Sequence, residues 1–99
     1  HLPHRRPPLE GIFVIQAQTA AGCFGGVASL GRNPTVSDGQ RYRLEVHLFD
    51  FAGNLYGQRI TVRFLQKLRD EAHYDDLSAL VAQIEQDAAE AEAYLTRMQ

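Results

Sequence analysis

Glu45 and His47 are the two side chains whose type and spacing could do chemistry together in this sequence. They stand two apart in the stretch Leu-Glu-Val-His-Leu-Phe-Asp-Phe, residues 44–51, which is strongly strand-forming yet carries two ionisable groups. Side chains alternate along a strand, so Tyr42, Leu44, Val46 and Leu48 point one way and Arg43, Glu45, His47 and Phe49 the other. The first set makes a core face. On the second, a carboxylate and an imidazole lie about 7 Å apart, from the usual rise per strand residue. A carboxylate held on a rigid strand can act as a general base when a substrate hydroxyl comes within hydrogen-bond reach. The plain reading of the same pattern is a surface charge pair, with Arg43, or Arg59 and Arg63 on the next predicted strand, stabilising the sheet by about 0.2 to 1 kcal/mol.

The elements that must position this stretch follow from the rest of the chain. Residues 1–8 form a basic, Pro-rich lead-in that cannot continue a helix. His1 and His4 within it have no Cys or carboxylate beside them until Glu10, so no metal site is assigned there. Gly11 releases residues 12–17, β-branched and aromatic and apolar on both faces, which predicts a buried strand. Residues 19–26 are small and Gly-rich, with Cys23 beside the turn, and are expected to join this strand to a short second one at residues 27–30. No glycine spacing here matches a phosphate-cradling fingerprint. Gly31-Arg-Asn-Pro-Thr35 is a stiffened loop that presents Asn33 and Thr35, either as ligand contacts or as a plain turn. Ser37-Asp-Gly-Gln40 is a further turn leading into the strand at residue 42.

After Phe51, Ala52-Gly-Asn54 predicts a tight reversal and a hairpin between the Glu45 strand and residues 58–64. Tyr56 and Gly57 stand at its return, where a ring could stack on a flat ligand or merely cover the end of a barrel. Residues 70–75 are a charged loop with His73 and Tyr74. Asp76 is the expected N-cap of one long helix, because Leu77, Leu80, Val81, Ile84, Ala88, Ala91, Leu95 and Met98 recur at steps of three and four. Glu85, Asp87, Glu90 and Glu92 are assigned to its solvated face. Short antiparallel strands followed by an amphipathic helix predict a mainly β protein, a small barrel or sheet closed on one side by the helix. The lack of intervening helices excludes a parallel βαβ design.

Composition bounds the function classes. The 99 residues suffice for one domain or part of one, with 44% hydrophobic and 22% charged residues, and can hold one modest core. A net charge of −2 and a pI near 6.1 imply no overall attraction to nucleic acid or to anionic membrane. No apolar run approaches the roughly 20 residues that cross a bilayer. A single cysteine, Cys23, excludes an internal disulfide and suits a reducing cytosol, so a cytoplasmic location is expected.

Taken together, Gly26-Val-Ala-Ser-Leu-Gly-Arg-Asn-Pro-Thr-Val36, Leu44-Glu-Val-His-Leu-Phe-Asp-Phe51, Leu55-Tyr-Gly57, Lys67-Leu-Arg-Asp-Glu71 and Tyr74-Asp-Asp-Leu77 resemble the riboflavin kinase module, in the order and spacing of that family. The bacterial form of the module is the C-terminal half of the bifunctional riboflavin kinase/FAD synthetase. The resemblance runs from Pro8 over nearly the whole chain. It implies an antiparallel six-stranded Greek-key (split) barrel with a long C-terminal α-helix, transferring the ATP γ-phosphate to the riboflavin 5′-hydroxyl with Mg²⁺ to give FMN and ADP. By motif match, Glu45 is the general base. Leu68 and Arg69, with the loop to Tyr74, match the flavin side; His47, Tyr56 and Asn33 match the nucleotide side.

The family also carries a Gly-rich segment ending in Pro-Thr-Ala-Asn, whose Thr and Asn hold Mg²⁺ and ATP. Residues 1–99 do not include it, and Pro34-Thr35 belongs to a later loop, so no metal ligand is assigned here. The resemblance therefore implies a partial kinase domain over residues 1–99, without the nucleotidyltransferase half or the first kinase strands and with negligible kinase activity as a fragment. A different reading is a binding or assembly module of split-barrel type that holds flavin without turnover. Absent opening strands would expose strand edges, so self-association is expected as well.

Overall fold

A computed structural model describes residues 10–32 and 42–99. The expectation for Asn33, and for Thr35 beside it, lies outside the described residues. The chain forms β1 (Gly11–Thr19), β2 (Gly22–Arg32), β3 (Tyr42–Leu48) and β4 (Thr61–Arg69), then α1 (Leu77–Met98). All pairings are antiparallel, and the strand order is β3-β2-β1-β4. Three consecutive strands with a fourth returning beside the first is the Greek-key arrangement. The fold is thus mainly β with one C-terminal helix, as the sequence predicts.

Strand β1 is central and covered on both faces. Val14 and Ile15 are fully buried, in line with a run apolar on both sides. Phe13, Ile15 and Ala17 meet Ala28 and Leu48 on one face, where Phe24, Leu30, Val46, Phe51, Leu55, Val62 and Phe64 complete the core. Phe13 meets Phe64 edge to face at 5.0 Å, and Phe24 meets Phe51 at 5.1 Å. The opposite face, with Ile12, Val14 and Val27, lies under α1.

Two sequence expectations are corrected. Strand β2 begins at Gly22 and is longer than residues 27–30, because the β1–β2 turn needs only Ala20 and Ala21. The Thr19 hydroxyl accepts from the Ala21 N–H and donates to the Gly22 carbonyl, both at 3.0 Å, which satisfies the turn locally. Pairing with β1 on one side and β3 on the other overrides the low strand propensity of the glycines.

The second correction is larger: β3 and β4 form no hairpin but stand at opposite edges of the sheet. Turn chemistry does operate in the connection. Asn54 Oδ1 accepts from the Tyr56 N–H at 2.7 Å, and the Gln58 N–H reaches the Leu55 carbonyl at 2.9 Å. Phe51 and Leu55, however, pack onto the core face, drawing the connection across the sheet and delivering β4 to the far side of β1.

Gly26 pairs with Leu48 where the two backbones approach so closely that a Cβ would strike the His47 carbonyl oxygen. Backbone, unlike a side-chain tip, cannot swing aside. Gly26→Ala is therefore expected to destabilise the fold by about 1 to 3 kcal/mol, as overpacking does. A lowered urea midpoint at unchanged slope is the measurement, and an unchanged midpoint would contradict the crowding.

Candidate functional site

Four side-chain positions make one row across the sheet. Glu45 on β3 is opposite Ser29 on β2, Ser29 is opposite Ile12 on β1, and Ile12 is opposite Arg69 on β4. At the usual spacing between neighbouring strands, the two ends of the row are about 14 Å apart. Register irregularities in the β1–β4 pairing bring Arg69 into this row, leaving Leu68 as the extra residue between the partners of Ile12 and Phe13.

A cleft of about 380 Å³ lies along this row. Its floor is the sheet face, with Ile12, Val27, Ser29, Glu45 and His47. The 70–76 loop contributes Glu71 and Tyr74, and α1 contributes Leu80, Ile84, Asp87 and Ala88. The cleft is mostly apolar with a few convergent polar groups, the usual character of a small-molecule site.

At one end, the Glu45 side chain is 65% exposed and lies 3.6 Å from Arg43 Nε. The surface pair expected from the sequence is thus present, and it leaves the carboxylate open to a ligand. Arg59 and Arg63 lie on the β4 side, across the sheet from Glu45. His47 stands on the same strand and also lines the cleft, its ring edge to face with Phe49 at 5.8 Å.

The other end is built around Asp87, which is 4% exposed. Arg69 donates to it twice, Nε to Oδ1 at 2.9 Å and Nη2 to Oδ2 at 2.7 Å, and Gln83 Nε2 donates to Oδ1 at 3.0 Å. Arg69 Nη1 also donates to the Asp70 carbonyl at 3.0 Å, tying the start of the loop to the same guanidinium. Burial, the strongest influence on Asp87, pushes its carboxyl up. The hydrogen bonds from Arg69 and Gln83 and the guanidinium charge together outweigh it and hold the carboxyl below the usual range. The hydrogen bond to Asp87 raises the Arg69 pKa in turn.

Between the two ends, the loop is held to the sheet by Glu71, whose Oε2 accepts from the Ser29 hydroxyl at 3.1 Å. Glu71 also overhangs Gly31, where a Cβ would overlap its carboxylate. Asp76 caps α1 as expected, Oδ1 accepting from the Ser78 N–H at 3.0 Å.

Of the residues singled out in the sequence, the cleft gathers Glu45, His47, Arg69 and Tyr74. Leu68 lines a separate depression with Ala93 and Tyr94. Tyr56 is 93% exposed in the β3–β4 connection and does not reach the cleft.

The helix needs correction in two respects. Asp87, assigned to the solvated face, is buried, whereas Leu77, Leu80, Val81 and Ile84 of the presumed core stripe are exposed, Leu77 by 73%. The helix meets the sheet mainly through its later turns, where Ala91 is buried and Leu95 lies over Gly25. Its earlier turns stand off, and that gap is the cleft. Ser29, Glu71, Gln83 and Asp87 were missed as site residues. Asp87 carried a usable signal: it lies three residues after Ile84 and four before Ala91, on the stripe itself.

A Greek-key antiparallel sheet roofed by a helix, with an open carboxylate at one end of an apolar cleft and a guanidinium–carboxylate pair at the other, defines a mainly β domain with a candidate small-molecule cleft. The family model described as "Flavokinase: Riboflavin kinase" matches residues 1–95, and the chain belongs to the riboflavin kinase family. It is 45% identical over 92 residues to the bifunctional riboflavin kinase/FMN adenylyltransferase of Pseudomonas fluorescens, covering 93% of this chain and 30% of that protein. It is 40% identical over 88 residues to the protein of the same name from Haemophilus influenzae, covering 88% and 28%.

The chain thus spans about 30% of the length of the curated relatives it matches. A solved structure titled as a macrolide-efflux protein from Streptococcus pneumoniae superposes with a TM-score of 0.74 at 32% identity, covering 83% of this chain and 27% of that one. Among the described residues, no helix is long and apolar enough to cross a membrane.

Proposed function

We propose that this chain is part of the riboflavin kinase domain of a bifunctional riboflavin kinase/FMN adenylyltransferase, the domain that transfers the γ-phosphate of ATP to the riboflavin 5′-hydroxyl. The observation that carries the reading is the placement of Glu45: an open carboxylate on a rigid strand, at one end of an apolar cleft, in a chain of this family. The flavin ring lies along the cleft between the sheet and α1, and the ribityl chain runs toward Glu45. Glu45 takes the proton of the 5′-hydroxyl as that oxygen forms its bond to the γ-phosphorus and the bond from phosphorus to ADP breaks. Such transfer asks mainly for positioning and charge neutralisation, so one aimed carboxylate is a sufficient protein contribution on the acceptor side.

The family uses ATP with Mg²⁺. Among the described residues no group of three or more His, Cys, Asp or Glu side chains is arranged to hold a metal ion. No described residue is assigned to hold the ion. His47 stands beside Glu45 on the side we assign to nucleotide.

A cytoplasmic location goes with this reading and accords with the free thiol of Cys23. Self-association through the outer edges of β3 and β4 is part of the proposal too, since each is an edge strand of the described sheet. Sedimentation at micromolar concentration reports it, and a monodisperse monomer would contradict it.

The functional test is FMN formation from riboflavin and ATP by the full-length protein. Turnover supports the reading. Riboflavin binding without FMN formation would instead leave a flavin-holding module.

A further inference from the structure

The two ends of the cleft differ in electrostatic character, and the difference is built by residues the transfer step does not use. Glu45 is open and exposed. Arg69 stands about 14 Å away by strand spacing, with its charge met by Asp87 in a two-point pair, both carboxylate oxygens engaged and the acid buried. A guanidinium has five N–H donors in a planar fork. Nε and one N–H of Nη2 go to Asp87, and one N–H of Nη1 goes to the Asp70 carbonyl. One N–H on each terminal nitrogen is therefore uncommitted by these bonds, and Arg69 is among the residues that line the cleft. An arginine cancelled in this way still donates directional hydrogen bonds but offers little net attraction to an anion. Left uncompensated, the same fork would be a phosphate-binding group.

We propose that Asp87, oriented by Gln83, is a positioning and charge-compensating residue that makes the Arg69 end of the cleft a site for an uncharged polar ring and denies it to phosphate. This rests on the proposed riboflavin kinase reading and adds a specificity element to it. The ligand would then be sorted lengthwise, with its neutral carbonyl-bearing ring at Arg69 and its hydroxyl at Glu45. The compensated pair disfavours the reversed pose, in which a phosphorylated flavin or a nucleotide would enter phosphate first.

The test uses the full-length protein and inorganic phosphate as the probe. Asp87→Asn keeps the shape and removes the compensating charge. The riboflavin KM should rise about tenfold or more, as loss of a charge-assisted partner does, with kcat at saturation within about twofold of the parent. Inorganic phosphate should become a competitive inhibitor against riboflavin in the variant and not in the parent.

Gln83→Leu removes only the orienting hydrogen bond and leaves the Asp87 charge. It should raise the riboflavin KM by a smaller factor without phosphate competition, and it carries the KM test if Asp87→Asn does not fold. A merely structural role would lower the thermal midpoint and leave the KM and the phosphate response unchanged, and either unchanged KM or absent phosphate competition in a folded Asp87→Asn overturns the proposal. An unchanged KM in Gln83→Leu overturns it too. Failure of the kinase reading itself is distinguishable, because it would appear as absent riboflavin turnover in the unsubstituted protein.

Discussion

On the proposed kinase reading, Glu45→Gln in the full-length protein should lower kcat for riboflavin phosphorylation by about 10²- to 10⁴-fold, the usual cost of losing a general base, with a much smaller change in the riboflavin KM. The substitution keeps the side chain's length and its place in the row with Ser29, Ile12 and Arg69, but an amide cannot accept the hydroxyl proton. Because the lost interaction belongs to the transition state, the deficit should appear in kcat and in kcat/KM alike. Steady-state kinetics at saturating ATP measure it. An unchanged kcat would return Glu45 to the exposed pair it makes with Arg43 at 3.6 Å, an interaction worth about 1 kcal/mol at most.

The largest expected effect on stability comes from the other end of the cleft. Asp87→Ala leaves the Arg69 guanidinium without its two-point partner, and Arg69 is itself only 24% exposed. Breaking a buried pair by removing one member costs about 3 to 5 kcal/mol, and the partial exposure of Arg69 argues for the lower figure. Against a total stability of about 5 to 15 kcal/mol for a small domain, this is severe. The thermal midpoint should fall by on the order of 15 °C, and a fall of only a degree or two would show that the pair contributes little.

The pair also sets an acid limit. The folded-state pKa of Asp87 lies below its unfolded value, so the stability it contributes is fully present above the unfolded carboxyl range, near pH 4. It is lost as pH falls through the lower folded value. Between pH 5 and 8 the contribution should be flat. In acid titrations monitored by circular dichroism, Asp87→Ala should lose part of the wild-type acid transition.

How far the sequence disclosed this site depends on the kind of signal each residue carried. Glu45 is legible because strand alternation is strict: with Tyr42, Leu44, Val46 and Leu48 on one face, Glu45 and His47 share the other and both line the cleft, although Tyr42 and Leu44 are exposed and only the later part of β3 reaches the core. Asp76 was legible through local capping chemistry. Asp87 is legible only through its spacing on the stripe, against which its charge argues for the solvated face. The pair partner that makes its burial affordable, Arg69, is eighteen positions upstream, and nothing in a helical stripe announces it. The β3–β4 connection failed for a complementary reason. Asn54 does organise a turn, but turn chemistry fixes a local bend and not the strand that the chain pairs with afterwards. That choice fell to Phe51 and Leu55, whose burial on the core face is a long-range matter. The cleft itself is invisible in periodicity, since an apolar stripe reads the same whether the helix touches the sheet along its full length or stands off at one end.

The buried pair joins the last strand to the helix that follows it. Every strand pairing in the described sheet involves residues up to 69 only, so α1 adds no strand to the sheet and acts on it only through side chains. Those side chains include Asp87, which the Arg69 guanidinium holds at two points. A chain lacking α1 would therefore leave one face of the sheet uncovered and Arg69 without its buried partner. One helix thus does two jobs at once, covering an apolar face and delivering the carboxylate that the Arg69 guanidinium needs.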